Sequence, residues 1–290
     1  MNENFNHQLL FVINPMACNG KLDWEGIIGN HFKLNNPIVH FFKIPKFNAV
    51  NELKTVIEKF IPTIIVAVGG DGTIKLVAES IIAKNIPIGI IPAGSANGMA
   101  MELGISKNAE MAMDLILKGS IRNIHAIQIN DQICLHLSDI GMNAHAMKLF
   151  EKQQVRGFWG YLMASIKVLW KSRQMTVELK LATENVRIKA EIIIIANGSK
   201  YGTGAIINPI GNLSDNLFEV IVVKKISVSE IYKMAVSHQA YDPTKTLIFQ
   251  TNQLLILSKK KVHFQIDGEY LGKLNQVQAK LIPAAIQIIC

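Results

Sequence analysis

The chain is predicted to fold as two domains, an N-terminal α/β domain built on a parallel sheet and a C-terminal β-sandwich. Three observations predict this. Short apolar runs alternate with helix-like stretches up to about residue 122, β-rich runs follow one another after Arg122, and two glycine-rich turns close strands of the first part. With 290 residues, 49% of them hydrophobic and 18% charged, the chain is long and apolar enough for two separate cores.

The elements of the first part are expected in strict alternation. Strand Leu9 to Ile13 is wholly apolar, and a helix from about Leu22 to Phe32 follows it. A strand near Val39 to Ile44 and a helix around Ala49 to Phe60 come next, then the β-branched run Ile64 to Val68. A helix from Ile74 to Lys84, a strand Ile86 to Ile91 and a helix through Ala109 to Leu117 complete the series. Such alternation implies crossover helices covering a parallel sheet.

The second part changes character. Strands are expected at Ile124 to Ile129, Ile133 to Leu137, Met175 to Leu181, Val186 to Ala196 and Phe218 to Val223. Later ones are expected at Leu254 to Leu257, Val262 to Ile266, Gln278 to Leu281 and Ile286 to Ile289. One helix, Gly157 to Lys171, interrupts them with apolar residues at near-helical spacing.

The glycine-rich turns carry the chemistry. Gly69-Gly70-Asp71-Gly72-Thr73 follows one strand and Pro92-Ala93-Gly94-Ser95-Ala96-Asn97 the next. Glycine permits positive φ and close backbone approach, so consecutive N–H groups can converge on an anion at a helix N-terminus. Either loop alone also reads as a tight turn. As a pair on neighbouring parallel strands they meet at the carboxyl edge of the sheet, where open α/β sheets hold ligands. Asp71 would repel a bare phosphate, which makes Mg-nucleotide the economical ligand.

Composition narrows the partners. Cys18, Cys134 and Cys290 are too scattered for a disulfide framework or a zinc site, which fits a reduced cytoplasm. The polar opening Met1-Asn2-Glu3-Asn4 leads straight to a strand, so no signal peptide is expected, and no apolar run reaches membrane-spanning length. The formal charge is +8, concentrated at Lys171 and Arg173, at Lys224-Lys225 and at Lys259-Lys260-Lys261. Aromatic residues make up 7% and do not interleave with Arg and Lys, so nucleotide or anionic membrane is a better use of this charge than nucleic acid.

Taken together, the two loops resemble the catalytic domain of the diacylglycerol kinase superfamily of lipid kinases. Leu10 to Lys21 looks like its opening strand and Asn-Pro turn. Asp139 to Ala144, Tyr161 to Leu169, Asn208-Pro209 and Ser214 to Val220 resemble its second domain, and Asp267-Gly268-Glu269 its Asp-Gly-Glu motif. The resemblance spans nearly the whole length. It implies a nucleotide-binding domain over residues 1–122, completed by a C-terminal strand near 284–290, and a lipid-substrate β-sandwich over 123–283. It implies ATP and Mg as cofactors, a lipid alcohol as acceptor, and a cytoplasmic protein associating peripherally with anionic membrane.

The resemblance also implies roles. Asn14, Gly69, Gly70, Gly72, Thr73, Gly94, Ser95 and Asn97 would frame the nucleotide, Asp71 would serve the metal, and Asp267 would act as general base across the cleft, with Glu269 supporting it. Asp215, in Asn212-Leu213-Ser214-Asp215-Asn216-Leu217, would hold a structural Mg, although a lone Asp in a loop is ordinarily a turn former. Asp267-Gly268 by itself reads as a hairpin turn. The chain departs from the family at Lys75 and Leu76, where Asn and Glu are common, and at Gly98, which follows Asn97 where many members have Asp. Lys75 could contact phosphate directly, while Leu76 would face the helix packing. The second loop leans toward sphingosine kinases, but His145 falls where an acid would meet a sphingoid amine, which favours a diacylglycerol-like acceptor. A sphingoid-base kinase, an NAD kinase and a catalytically weak binding relative are the competing readings.

Overall fold

The computed structural model describes residues 7–33, 37–82, 84–141, 174–201, 205–225 and 241–290. The expected helix Gly157 to Lys171, with Phe158, Trp159 and Tyr161, lies outside these residues, as do Arg156 and His145. The chain divides into two compact units, Met1–Ile124 with Ala284–Cys290, and His125–Pro283.

In the first unit, strands β1 (Gln8–Ile13), β2 (Ile38–Lys43), β3 (Ile64–Gly69) and β4 (Pro87–Pro92) form a parallel sheet in the order β4-β3-β1-β2. Parallel strands need crossovers, which α1 (Trp24–Phe32), α2 (Ala49–Phe60) and α3 (Asp71–Ile81) supply. After β4 come α4 (Gly98–Glu102) and α5 (Ala109–Lys118); α1 packs with α5, and α2 with α3. Strands β1 and β3 are buried almost end to end, as expected of apolar runs covered on both faces. Asp23 starts α1 by accepting a hydrogen bond from the Gly26 N–H, and Asn108 starts α5 through Met111 N–H.

The end of the chain closes this sheet. Strand β16 (Glu269–Ile289) pairs in parallel with β4 through Gln287 and Ile288, and Ser120 and Cys290 exchange backbone hydrogen bonds of 3.1 and 2.9 Å. Ile286, Ile288 and Ile289 are buried there.

The second unit is a β-sandwich whose described strand pairs, from β10 with β13 to β8 with β9, are antiparallel. One row runs β14 (Thr246–Thr251), β13 (Phe218–Val223), β10 (Ile192–Ala196), β7 (Leu137–Gly141) and β15 (Gln253–Ile266). Strand β15 serves both layers, because residues 254–258 pair with β8 (Met175–Leu181) and residues 264–266 with β7. Beyond β8 lies the edge strand β9 (Asn185–Ala190), and on the far side of β16 lie β5 (Ile121–Ile129) and β6 (Gln132–Cys134). Phe218, Val220, Ile193, Leu179, Ile256 and Phe264 belong to the core between the layers.

Four expectations are corrected in detail. Ile133 to Leu137 is not one strand but two, β6 and β7, and Val186 to Ala196 divides into β9 and β10. The runs Leu254 to Leu257 and Val262 to Ile266 are a single strand with a register shift between Leu257 and Val262, which lets the Ser258–Lys261 stretch bulge without ending the strand. Gln278 to Leu281 and Ile286 to Ile289 are likewise parts of β16.

Candidate active site

In the first unit, the loops after β1, β3 and β4 converge at the carboxyl edge of the sheet. Asn14 leaves β1 by donating its N–H to Val68 O at 3.0 Å, and its side-chain oxygen accepts the Met16 N–H at 2.9 Å. The chain then makes a turn in which Cys18, Asn19 and Gly20 all have positive φ, of 51°, 60° and 68°. Three successive left-handed residues cost backbone energy and require a fixed surrounding. Part of it is Ala93 of the second glycine loop, whose carbonyl accepts the Cys18 N–H at 3.1 Å.

The two glycine loops touch through their backbones. A Cβ placed on Gly94 would lie 2.4 Å from Gly70 Cα and 2.9 Å from Gly70 N, so no larger residue fits there without separating the loops. Gly69 is closed in the same way, since its Cβ would stand 2.2 Å from the Thr73 hydroxyl oxygen. Asn97, 7% exposed and with φ 55°, grips the Gly94 peptide from both ends: its Oδ1 accepts Gly94 N–H at 2.8 Å and its Nδ2 donates to Gly94 O at 2.9 Å. Gly94 and Ser95 remain exposed beside it.

Asp71 joins the loops. Its Oδ2 accepts the Gly98 N–H and its Oδ1 the Met99 N–H, each at 2.9 Å. A carboxylate there satisfies the first donors of α4 and complements the positive end of that short helix. Helix α3 itself starts at Asp71, three residues before the expected Ile74, and Gly70 caps it without a side-chain hydrogen bond. Its first turn is therefore available to an anion. Thr73 sits in that turn, 3% exposed, with a hydroxyl that has no hydrogen-bond partner among the described residues. Buried hydroxyls without partners are rare, and a phosphate oxygen would satisfy this one. Lys75 is buried at 8% exposure, and Leu76 is partly buried.

In the second unit, Asp267 and Gly268 form the two-residue turn between β15 and β16, with φ 48° and 85° and with Ile266 paired to Glu269. Both positive angles suit a hairpin turn, and Asp tolerates the first. The Asp267 carboxylate holds the β6–β7 connection. Its Oδ1 accepts from His136 N at 3.0 Å, Leu137 N at 3.2 Å and the Cys134 thiol at 3.5 Å, while Oδ2 accepts from Leu135 N at 3.1 Å. Those amides bond the carboxylate rather than a strand, which is why the run Ile133 to Leu137 breaks. Glu269 is exposed at the start of β16.

A buried polar relay fixes this turn, and the sequence reading missed it. Gln265, fully buried, accepts the Gly268 N–H on its Oε1 at 2.7 Å and donates from its Nε2 to the Asp139 carboxylate. Ser138 donates to Gln265 O at 2.6 Å. Asp139 is itself fully buried on β7, and Gln265 and Asp139 are directly opposed across the β15–β7 pair. The only signal in the chain was a polar pair inside otherwise apolar runs.

Asp215 lies elsewhere in this unit. Its Oδ1 accepts the Leu217 N–H at 3.2 Å in a tight turn, and the neighbouring Asn216 N–H donates to His125 Nε2 at 3.1 Å. Beneath it Glu219, 1% exposed, accepts from Asn208 Nδ2 at 2.5 Å and Gln250 Nε2 at 3.0 Å. Burial pushes the Glu219 carboxyl above its ordinary range; those two hydrogen bonds oppose the shift and the charge of Asp215 adds to it. Among the described residues no cluster of three or more His, Cys, Asp or Glu could hold a metal on its own.

Comparison with known proteins follows the same division. Residues 8–129 match the model of the diacylglycerol kinase catalytic domain, and residues 138–290 that of the YegS C-terminal NAD kinase beta sandwich-like domain. The chain is 25% identical over 219 residues to a diacylglycerol kinase of Bacillus subtilis (strain 168), covering 73% of this chain and 72% of that protein. It is 23% identical over 299 residues to an uncharacterized protein of Synechocystis, covering 96% and 69% respectively. A crystal structure of a diacylglycerol kinase from Bacillus anthracis str. Sterne shares the fold, with a TM-score of 0.76 at 17% identity over 98% of this chain and 96% of that one.

Proposed function

The chain belongs to the lipid kinase family that joins a diacylglycerol kinase catalytic domain to a YegS C-terminal NAD kinase beta sandwich-like domain, and on that premise we propose that it transfers the γ-phosphate of ATP to the hydroxyl of a diacylglycerol-like lipid. The observation that carries the proposal is the contact of Gly70 with Gly94 beside the Thr73 hydroxyl, which has no partner among the described residues. These are the features a polyphosphate needs: close backbone approach, an open helix start and a donor waiting for an acceptor. Asn14, Gly69, Gly72, Ser95 and Asn97 shape the same cradle.

Asp71 has lone pairs left after its two backbone hydrogen bonds and serves Mg²⁺ through them. No cluster of three or more His, Cys, Asp or Glu lies near it among the described residues, so such an ion would draw its other ligands from phosphate and water, as Mg²⁺ commonly does. When bound, it neutralises charge on the transferring phosphoryl group. In the chemical step the lipid oxygen bonds to the γ-phosphorus, ADP leaves, and the hydroxyl proton passes to a base. We assign that proton to Asp267 Oδ2, because Oδ1 already receives three donors and Oδ2 only one. Glu269 adds negative charge beside the turn. A structural Mg²⁺ at Asp215 belongs to the proposal as well, supported by the neighbouring Glu219 and by the buried Asn208 Oδ1, which has no donor among the described residues.

Labelled γ-phosphate offered from ATP to diacylglycerol, a sphingoid base and NAD tests the reading. Label in diacylglycerol, abolished by Asp71→Asn and by Asp267→Asn, is expected. The name of the second matched domain favours NAD kinase as the second reading, and labelled NADP without labelled lipid would establish it in place of the first.

A further inference from the structure

We infer that the solvent face of the β9-β8-β15-β16 layer is a docking surface for an anionic lipid bilayer. The inference rests on the proposed lipid acceptor, but its observations are independent of the site. Across these strands the registers place Asn185, Lys180, Leu255 and Gln278 in one row and Arg187, Glu178, Leu257 and Gln276 in the next. Lys189 stands opposite Thr176, and Lys280 opposite Gln253, on the same face. The alternate residues Val177, Leu179, Leu181, Leu254, Ile256 and Val277 all point into the core.

The outer face is therefore cationic with an apolar centre. Arg187, Lys189, Lys180 and Lys280 are exposed, and Glu178 is the acid between them, 3.5 Å from Lys180 Nζ. Leu255 and Leu257 are half-buried at the middle of the patch. Beside it Lys259, Lys260 and Lys261 bulge outward, the bulge closed by Ser258 Oγ donating to Lys260 O at 2.6 Å. Cations on β9 alone would be explained by protection of an edge strand. Lys180 and Lys280 lie on interior strands, which have no edge to protect. A sheet face with cations around two leucines complements anionic headgroups above acyl chains, and its named residues include no aromatic side chain of the kind a single-strand nucleic-acid platform uses.

The test is flotation of the full chain with phosphatidylcholine vesicles, with and without phosphatidylglycerol, beside a duplex DNA arm. Binding to the anionic vesicles alone, weakening with salt, is expected. Arg187→Gln with Lys189→Gln and Lys280→Gln should weaken it about a hundredfold, taking each surface cation as roughly fivefold. Lys180→Arg with Lys189→Arg and Lys280→Arg should retain it, and thermal melts of all variants should match the parent. Unchanged flotation of the triple Gln variant, or tighter binding to DNA than to anionic vesicles, overturns the inference. Phosphoryl transfer to a dispersed short-chain diacylglycerol needs no docking, so a parent chain that carries out this transfer but floats with no anionic vesicle sinks the docking surface alone. Docking without transfer to any lipid sinks the kinase reading and leaves the surface standing.

Discussion

At the scale of single residues, the loop contact makes sharp demands. Gly94→Ala drives a Cβ to 2.4 Å from Gly70 Cα, a clash of backbone with side chain that no rotamer relieves. It should destabilise the first unit by about 1–3 kcal/mol and abolish ATP binding, measured by chemical denaturation and calorimetry. Asp71→Asn sets an amide NH₂ against one of the two N–H donors it now satisfies, at a cost of about 1–3 kcal/mol. If Asp71 also serves the metal, kcat falls by roughly a hundredfold or more. An unchanged kcat with lowered stability would confine Asp71 to capping α4. Much of this was legible: Gly70, Asp71, Gly94 and Asn97 stand out as acid-and-glycine turns at strand ends. That Asp71 caps α4 was not, because a five-residue helix beginning at Gly98 has no periodicity to show. Nor were Asp139 and Gln265, whose pairing depends on the β7–β15 register.

At the scale of elements, the Asp267-Gly268 turn depends on its buried support. Gly268→Ala places a side chain at φ 85° and should cost about 1 kcal/mol or more, while Gln265→Leu removes the acceptor of Gly268 N–H and the donor to Asp139. Both variants should lower kcat more than they raise KM if the turn carries the base, and a KM effect alone would contradict that role. The Glu219 layer predicts a pH dependence. Its carboxyl is raised from an ordinary 4.5, so its contribution to stability is complete below that value and is lost as pH rises through the raised one. The stability of the parent relative to Glu219→Gln should therefore fall as pH rises from about 4.5 and then level off, and a difference that grows with pH would contradict the buried assignment. Regular amphipathic or apolar segments were readable: α2 spans Ala49–Phe60 as expected, and β8 and β13 also match. Strand β14 was missed because the Thr246–Thr251 run is short, has polar residues at both ends and is only partly buried. Strand β15 was split in two because Ser258–Lys261 is polar, although its backbone stays extended.

At the scale of the whole molecule, the first unit is not continuous in sequence. Its sheet uses residues 284–290, so a chain stopped at Pro283 exposes the edge of β4 and loses buried Ile286, Ile288 and Ile289. Such a chain should aggregate or exchange its β4 amides rapidly, and appending residues 284–290 as a separate peptide should restore protection. Protection unchanged by the truncation would show that β16 contributes nothing to the sheet. Among the described residues no helix is long and apolar enough to cross a membrane. The two-part architecture was readable from the change of pattern near Arg122. The return of the last strand came from the family resemblance and not from the pattern, since nothing in Ile286 to Ile289 says which sheet it joins. The decisive measurement is the initial rate of γ-phosphate transfer from ATP to diacylglycerol in anionic mixed micelles, for the parent chain and for Gly94→Ala. The expected result is turnover by the parent and none by the variant. Equal rates, or a parent that binds ATP and labels no lipid, would contradict it.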